Sequence, residues 1–154
     1  MHPKNNQVFA HVIGCVSVTL AVLACGAGPN PHAATELGDR RYSVVITAPP
    51  ELPAGSSGHL VLEARPQAGH KLSTDFPTRL VLLSSSGLDA PTELDREAAE
   101  ELREQTIRYA APILARKRGS QTIEGKLRIG VCTGNLCEPV ELPFEVNLLV
   151  TGGS

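Results

Sequence analysis

Two cysteines near the C-terminus, Cys132 and Cys137, are the residues of this sequence best suited to do chemistry. They lie in the segment GVCTGNLCEPVELPFEV, residues 130–146, and four residues separate them. A cysteine pair at this spacing can serve as a structural disulfide, as a redox-active disulfide or as half of a metal site. The choice depends on the compartment of the protein and on the elements that hold the pair.

The N-terminal residues 1–24 predict an export signal. Lys4 gives a positive start, no acidic residue occurs before Glu36, and residues 12–24 form an apolar run. A run of about 13 residues is shorter than the roughly 20 that a membrane-spanning helix needs, but it suits the apolar core of a signal peptide. The sequence therefore predicts a protein that acts outside the cytosol.

The apolar run ends in Val22-Leu23-Ala24-Cys25, which resembles a bacterial lipobox. This resemblance implies that Cys25 is lipidated. Residues 26–41 are rich in glycine, proline and alanine and have no apolar period, which predicts a flexible tether over residues 25–41. Gly26, in place of an aspartate, implies sorting to the periplasmic face of the outer membrane. The alternative is ordinary signal cleavage nearby, in which case Cys25 has no special role.

Export changes what the cysteines can do. Of the four cysteines, Cys15 is lost with the signal and Cys25 is occupied by acyl chains, which leaves Cys132 and Cys137 to pair with each other. Outside the reducing cytosol, a close pair favours the disulfide over two free thiols.

Alternating apolar and polar residues dominate the mature chain. This period of two predicts β-strands, and one apolar face per strand is typical of two antiparallel sheets packed together. We therefore predict a mainly β protein, an antiparallel β-sandwich over residues 42–151. The strands are expected at 42–47, 59–64, 78–83, 107–114, 123–131 and 140–150, with Pro112 at an edge or a bulge.

One short helix is expected to interrupt the strands. Thr92 is followed three residues later by Asp95, as in a capping box, and strong helix formers follow. We predict a helix over residues 93–104, and we interpret its acidic residues as a solvated face.

The cysteine pair flanks the turn between the last two predicted strands. Gly134 and Asn135 tolerate the backbone angles of a hairpin turn, and opposed residues at its base lie roughly 4.5 to 5.5 Å apart at Cα, which a disulfide can span. Strand parity places both sulfur atoms off the core face. Closing so short a loop stabilises a fold by roughly 2 kcal/mol, which favours an exchangeable bond and leaves a structural one open.

Other function classes have weaker support. Two thiolates are half of a tetrahedral zinc site, and the mature histidines are His32, His59 and His70, so no metal is expected, although the spacing leaves copper(I) open. A net charge of −2 and a single basic cluster, residues 116–118, argue against nucleic acid as a partner. No cofactor is expected.

Residues 130–146 resemble the end of the periplasmic N-terminal domain of the thiol:disulfide interchange protein DsbD, the disulfide bond corrector family. That family carries its cysteine pair on a hairpin, followed by a proline and an alternating strand, as Pro139 and residues 140–150 follow here. The upstream segment PQAGHKLSTDFPTRLVLL, residues 66–83, also resembles the family.

This resemblance implies an immunoglobulin-like sandwich in which Cys132 and Cys137 form the redox pair. It implies a thioredoxin-like electron donor and periplasmic thiol–disulfide proteins as partners. It also implies an aromatic cap over the pair, for which Phe76 is the candidate in residues 66–83. The family often has an aromatic residue at the position of Glu138, whose charge would disfavour a thiolate at Cys137. The alternative interpretation is a non-enzymatic envelope lipoprotein, a protein-binding sandwich with a purely structural disulfide.

Overall fold

The computed structural model describes residues 33–153, and strands dominate this part of the chain. The strands form two six-stranded sheets that pack face to face. In chain order they are β1 (Ala33–Gly38), β2 (Tyr42–Ala48), β3 (Glu51–Pro53), β4 (Ser57–Pro66), β5 (Lys71–Leu72), β6 (Arg79–Ser84), β7 (Leu88–Asp89), β8 (Glu93–Leu94), β9 (Glu101–Arg103), β10 (Thr106–Ala115), β11 (Gly119–Thr133) and β12 (Leu136–Thr151).

Sheet A has the strand order β1-β2-β4-β10-β7, with β9 also paired to β10. Sheet B has the order β3-β12-β11-β6-β8, with β5 also paired to β11. The strand pairs are antiparallel except for β3 and β12, which are parallel. This is the mainly β, immunoglobulin-like antiparallel sandwich that the sequence predicts, with the cysteine pair on the C-terminal hairpin.

The core lies between the two sheets because each long strand turns every second side chain inward. In β4, Leu60, Leu62 and Ala64 are buried, and in β11 the same holds for Ile123, Leu127 and Ile129. At Gly125 the pattern continues without a side chain. A Cβ there would collide with the ring of Phe144, which lies directly opposite in β12. Glycine therefore makes room for the largest inward side chain of β12.

Strand β1 differs from the sequence expectation. Residues 33–38 fall within the tether predicted over 25–41, but they pair with β2 along its whole length, from Ala33 opposite Ala48 to Gly38 opposite Ser43. Residues 33–38 are thus part of the sandwich. Residues 33–38 lack a clear apolar period because β1 is an edge strand whose side chains are mostly exposed. The signal at 1–24 and Cys25 lie outside the described residues.

The helix predicted over 93–104 is wrong. A single turn of 3-10 helix, Arg96–Ala98, stands between β8 and β9, and its N-cap is Asp95. Pairing explains the outcome, because β8 adds to β6 and β9 adds to β10. These ladder hydrogen bonds outweigh the helix propensity of the segment. Pro112 lies in an edge segment, as expected. Between its pairings with β9 and β7, β10 has β4 as its sole partner strand within the described residues.

Within residues 33–153, no helix has the length and apolar character needed to cross a membrane.

Candidate functional site

The hairpin of β11 and β12 carries the candidate site at its tip, residues 132–137. Fifteen consecutive residue pairs join the two strands, from Gly119 opposite Val150 to Thr133 opposite Leu136. The turn residues are Gly134 and Asn135, and Gly134 has φ 58°, a conformation that glycine adopts at little cost. The long ladder fixes the register, and the register places Cys132 opposite Cys137.

Cys132 and Cys137 form a disulfide. Their Cα atoms are 3.9 Å apart, closer than the roughly 4.5 to 5.5 Å expected for opposed residues at the base of the turn. The predicted pairing of these two cysteines is therefore present, and whether the bond exchanges is a separate question.

The two halves of the disulfide differ in exposure. Cys132 is 1% exposed, whereas Cys137 lies in the exposed stretch at the start of β12. The prediction that both sulfur atoms would face solvent is wrong for Cys132. Parity is not the reason, since Cys132 lies outside the hydrophobic core cluster and shares the outer face of β11 with Arg128 and Gly130.

The segment after β5 covers the outer face of β11 next to Cys132. Strand β5 pairs with β11 at Cys132 and Val131, and the backbone N–H of Ser73 then donates to the Gly130 carbonyl oxygen at 2.9 Å. A Cβ at Gly130 would lie 3.0 Å from the Cβ of Ser73. Strand parity could not reveal this cover, because it comes from a segment some sixty residues earlier in the chain.

Phe76 lies in this covering segment. Its backbone N–H donates to the Ser73 hydroxyl at 3.2 Å, and a Cβ at Gly130 would lie 2.8 Å from the Phe76 Cβ. The ring lies over the guanidinium of Arg128, 5.3 Å from its Cζ, as in a cation–π contact. The first ring carbon, Cγ, would lie 2.9 Å from a Cβ at Gly130, so Phe76 packs over Gly130 on the face of β11 that Cys132 shares. A capping role for Phe76 stays a prediction.

Glu138 is held on the opposite face of the hairpin from the disulfide, since successive side chains of a strand alternate. Its Oε2 accepts from Nη1 of Arg41 at 3.0 Å, and Nη2 of Arg41 donates to Asp39 Oδ2 at 2.7 Å. The hydrogen bond from Arg41 lowers the pKa of Asp39. No local sequence pattern indicates this contact between the β1–β2 turn and the hairpin tip. Arg41 compensates the charge that was expected to disfavour a thiolate at Cys137.

An exposed leucine completes the tip. Leu136 is 67% exposed and directly precedes Cys137. Of the histidines within the described residues, His59 lies on β4, and His70 directly precedes Lys71, the residue that pairs with Cys132. No group of three or more histidine, cysteine, aspartate or glutamate side chains in residues 33–153 is arranged to hold a metal ion. What the tip offers chemically is one reachable sulfur atom bonded to one covered sulfur atom.

Comparison with known proteins finds only weak structural similarity. No known protein family matches the chain, and no curated protein matches it. Among solved structures it is similar to the GAE domain of yeast GGA1 (12% identity, TM-score 0.36, 74% of this chain and 98% of that chain). It is also similar to the GAE domain of GGA2p from Saccharomyces cerevisiae (9%, 0.34, 74% and 97%). Domains 4 and 5 of the S-layer protein SbsC give 13% identity and a TM-score of 0.32, covering 95% of this chain and 87% of that one. Scores this low carry no functional argument.

Proposed function

We propose that this protein is a lipid-anchored envelope domain that exchanges thiols and disulfides with partner proteins through Cys137. The observation that carries the proposal is the unequal exposure of the disulfide, with Cys137 exposed and Cys132 1% exposed. Disulfide exchange needs one sulfur atom that an incoming thiolate can reach.

The unequal exposure supports Cys137, rather than Cys132, as the sulfur atom that is attacked. A thiolate of a dithiol partner attacks Cys137 Sγ, the Cys132–Cys137 bond breaks, and Cys132 leaves as a thiolate that takes up a proton. A second thiol of the partner then attacks the mixed disulfide, which releases Cys137. The domain has gained two electrons and two protons as a dithiol, and the partner has become a disulfide. In the reverse sense, Cys137 attacks the disulfide of an acceptor protein.

The hairpin does not need the disulfide to stay paired. Fifteen residue pairs already hold β11 and β12 together, and closing a loop of six residues adds roughly 2 kcal/mol. A bond placed for stability alone would constrain the unfolded chain more if it joined distant strands. This redundancy supports exchange, and Leu136 beside Cys137 offers apolar contact to a thioredoxin-like partner.

Strand β1 begins at the end of the sandwich remote from the hairpin tip. The β1–β2 turn is at the tip end, because Arg41 contacts Glu138 there, and β1 runs from Gly38 back to Ala33 over roughly 17 Å. Lipidation of Cys25, eight residues before Ala33, would attach the anchor through the chain that leads into this end of β1. Such an anchor on the periplasmic face of the outer membrane presents Cys137 to soluble partners.

Single-cysteine variants test which sulfur atom reacts. Cys132→Ala leaves Cys137, and Cys137→Ala leaves Cys132. With glutathione disulfide as the probe, we expect Cys132→Ala to form the mixed disulfide at least about tenfold faster than Cys137→Ala, because Cys132 is covered. In urea the two rates should become similar. Equal rates in the folded proteins would contradict the assignment of Cys137.

The reduction potential decides between exchange and a purely structural bond. Equilibration of the wild-type protein with glutathione buffers should give a midpoint above about −300 mV, in the range of exchanging pairs. A midpoint below that value would assign the disulfide a structural role and favour the alternative, a protein-binding sandwich. Incorporation of labelled fatty acid by the wild-type protein, and its loss in Cys25→Ala, tests the anchor separately.

A further inference from the structure

The outer face of sheet B carries a second surface feature, remote from the disulfide. A groove of ≈ 660 Å³ lies across β6, β11 and β12. The side chains used below are Val81, Leu83, Glu124, Lys126, Pro143 and Glu145, which we call the outer groove. Lys126 and Cys132 are six residues apart on β11, roughly 20 Å along the strand, so the outer groove and the hairpin tip are distinct sites.

Register places these side chains in two rows across the strands. Leu83, Glu124 and Glu145 form one row, and Val81, Lys126 and Pro143 form the next. All six face outward, because their neighbours along each strand, such as Leu82 and Phe144, are buried in the core. The two rows are about 6.6 Å apart, the spacing of residues i and i+2 in an extended chain.

The apolar part of the outer groove is open to solvent. Leu83 is 66% exposed and Val81 is 36% exposed, and Pro143 lines the same hollow. A single exposed apolar side chain on a protein surface is normal, whereas adjacent ones around one concave surface are typical of an interaction site.

The outer groove has a net negative charge, from two glutamates and one lysine. Glu124 and Glu145 are directly opposite each other in the register of β11 and β12, an arrangement in which like charges destabilise a sheet. Lys126, the cation of the groove, lies 3.4 Å from Glu141. Within residues 33–153, no salt bridge reaches either Glu124 or Glu145, and Asn147 donates to Glu145 at 3.1 Å.

We propose that the outer groove is a docking site for a segment of a partner protein that carries basic side chains beside apolar ones. Lysine or arginine of the partner would pair with Glu124 and Glu145, and an apolar side chain would cover Leu83 and Val81. A second copy of this chain fits less well, because an isologous contact brings together two grooves of the same net negative charge. The proposal does not depend on exchange at Cys137.

A designed peptide tests the chemistry of the occupant. The probe is a short fluorescein-labelled peptide with the repeat Lys-Ser-Leu-Ser, which in extended form puts lysine and leucine on one face at the spacing of the two rows. We expect it to bind the full chain, as measured by fluorescence anisotropy. A peptide with glutamate in place of lysine, or serine in place of leucine, should bind at least about tenfold more weakly.

Matched protein variants localise the binding. Glu124→Gln/Glu145→Gln should weaken binding about tenfold, and Leu83→Ser should weaken it several-fold. The control Glu63→Gln/Glu100→Gln makes the same charge change on the outer face of sheet A and should leave the affinity unchanged. Equal losses in both double variants would show a non-specific charge effect and overturn the proposal. Sedimentation that detects a dimer of the wild-type chain, abolished by Leu83→Ser, would also overturn it in favour of a second copy.

Discussion

The outer faces of the two sheets differ in whether their glutamates form ion pairs. On sheet A, Glu63 lies 2.6 Å from Arg65 and 3.2 Å from Arg108, and Arg108 also lies 3.0 Å from Glu100. Hydrogen bonds from Arg65 and then Arg108 lower the pKa of Glu63. On sheet B, Glu124 and Glu145 face each other beside Leu83 and Val81, and no salt bridge within residues 33–153 reaches either carboxylate.

This difference shows what the outer face of each sheet can do. Ion pairs near a surface contribute little to stability, about 0 to 1 kcal/mol each. The main consequence of the network on sheet A is that its charges are paired within the chain and need no partner molecule. The face of sheet B carries apolar area and unpaired charge, and both gain when a complementary molecule covers them. The sandwich thus has one outer face whose charges are paired within the chain and one outer face that can gain from a partner.

The inner faces of the two sheets should not differ in this way. Core substitutions test this point, and they should have the largest effect on the free energy of unfolding. Leu62 of sheet A and Leu127 of sheet B are each 1% exposed. We expect Leu62→Ala and Leu127→Ala to lower the free energy of unfolding by similar amounts, about 2 to 5 kcal/mol each, from lost burial and the cavity left behind. Urea unfolding measures both. A loss below about 1 kcal/mol in one sheet would mean that its inner face is not part of a shared core.

Alkaline pH should destabilise the fold through sheet A. Tyr109 is 0% exposed and its hydroxyl donates to the Asp95 carbonyl oxygen at 3.0 Å. Burial first, and then the charges of Asp95 and Glu97, raise the pKa of Tyr109 to about 12. The unfolded pKa is about 10, so below pH 10 the hydroxyl is protonated in both states and its contribution is complete. Between about pH 10 and pH 12 the unfolded chain ionises first, and the free energy of unfolding falls by roughly 2 to 3 kcal/mol.

The variant Tyr109→Phe is the control for this pH effect, since phenylalanine cannot ionise. Urea unfolding of both proteins between neutral pH and about pH 12 should show the additional loss in the wild-type protein alone. Parallel pH profiles for the two proteins would show that Tyr109 keeps an ordinary pKa.

The smallest expected effect tests the outer faces directly. Glu63→Gln removes two ion pairs from sheet A and should lower the free energy of unfolding by up to about 1 kcal/mol. Glu124→Gln removes a like-charge contact from sheet B and should raise it by about 0.2 to 0.5 kcal/mol. Thermal or urea unfolding at low salt measures both changes, and added salt should shrink them. Changes of the same sign would remove the contrast between the two faces.

Much of the sandwich is predictable because alternation reports which side of a strand is buried. The strands expected at 42–47, 59–64 and 107–114 are present within a few residues of the predicted bounds. The segment Leu80-Val81-Leu82-Leu83 also held a signal for the outer groove, since an apolar residue at every position leaves some of them outside the core. Edge strands are harder to predict, because β1 and β9 are defined by their pairing partners.

The candidate site also has one part that the sequence predicts and another that it does not. The spacing of Cys132 and Cys137 and the intervening Gly134 predict a disulfide across a turn, because both depend on neighbours in sequence. Next to Cys132 lies β5, which pairs with β11 there, and the charge of Glu138 is compensated by Arg41. Contacts between residues so far apart leave no mark on the local pattern.

The sequence by itself determined the pattern of inward side chains, the hairpin and its cysteine pair, since each follows from residue types at short spacing. Tertiary structure alone decided that Cys137 is reachable while Cys132 is covered, that Arg41 compensates Glu138, and that Glu124 and Glu145 remain unpaired on an open face. The physical reason is that exposure and charge compensation are set by whichever distant segments pack nearby, and packing is fixed only when both sheets come together.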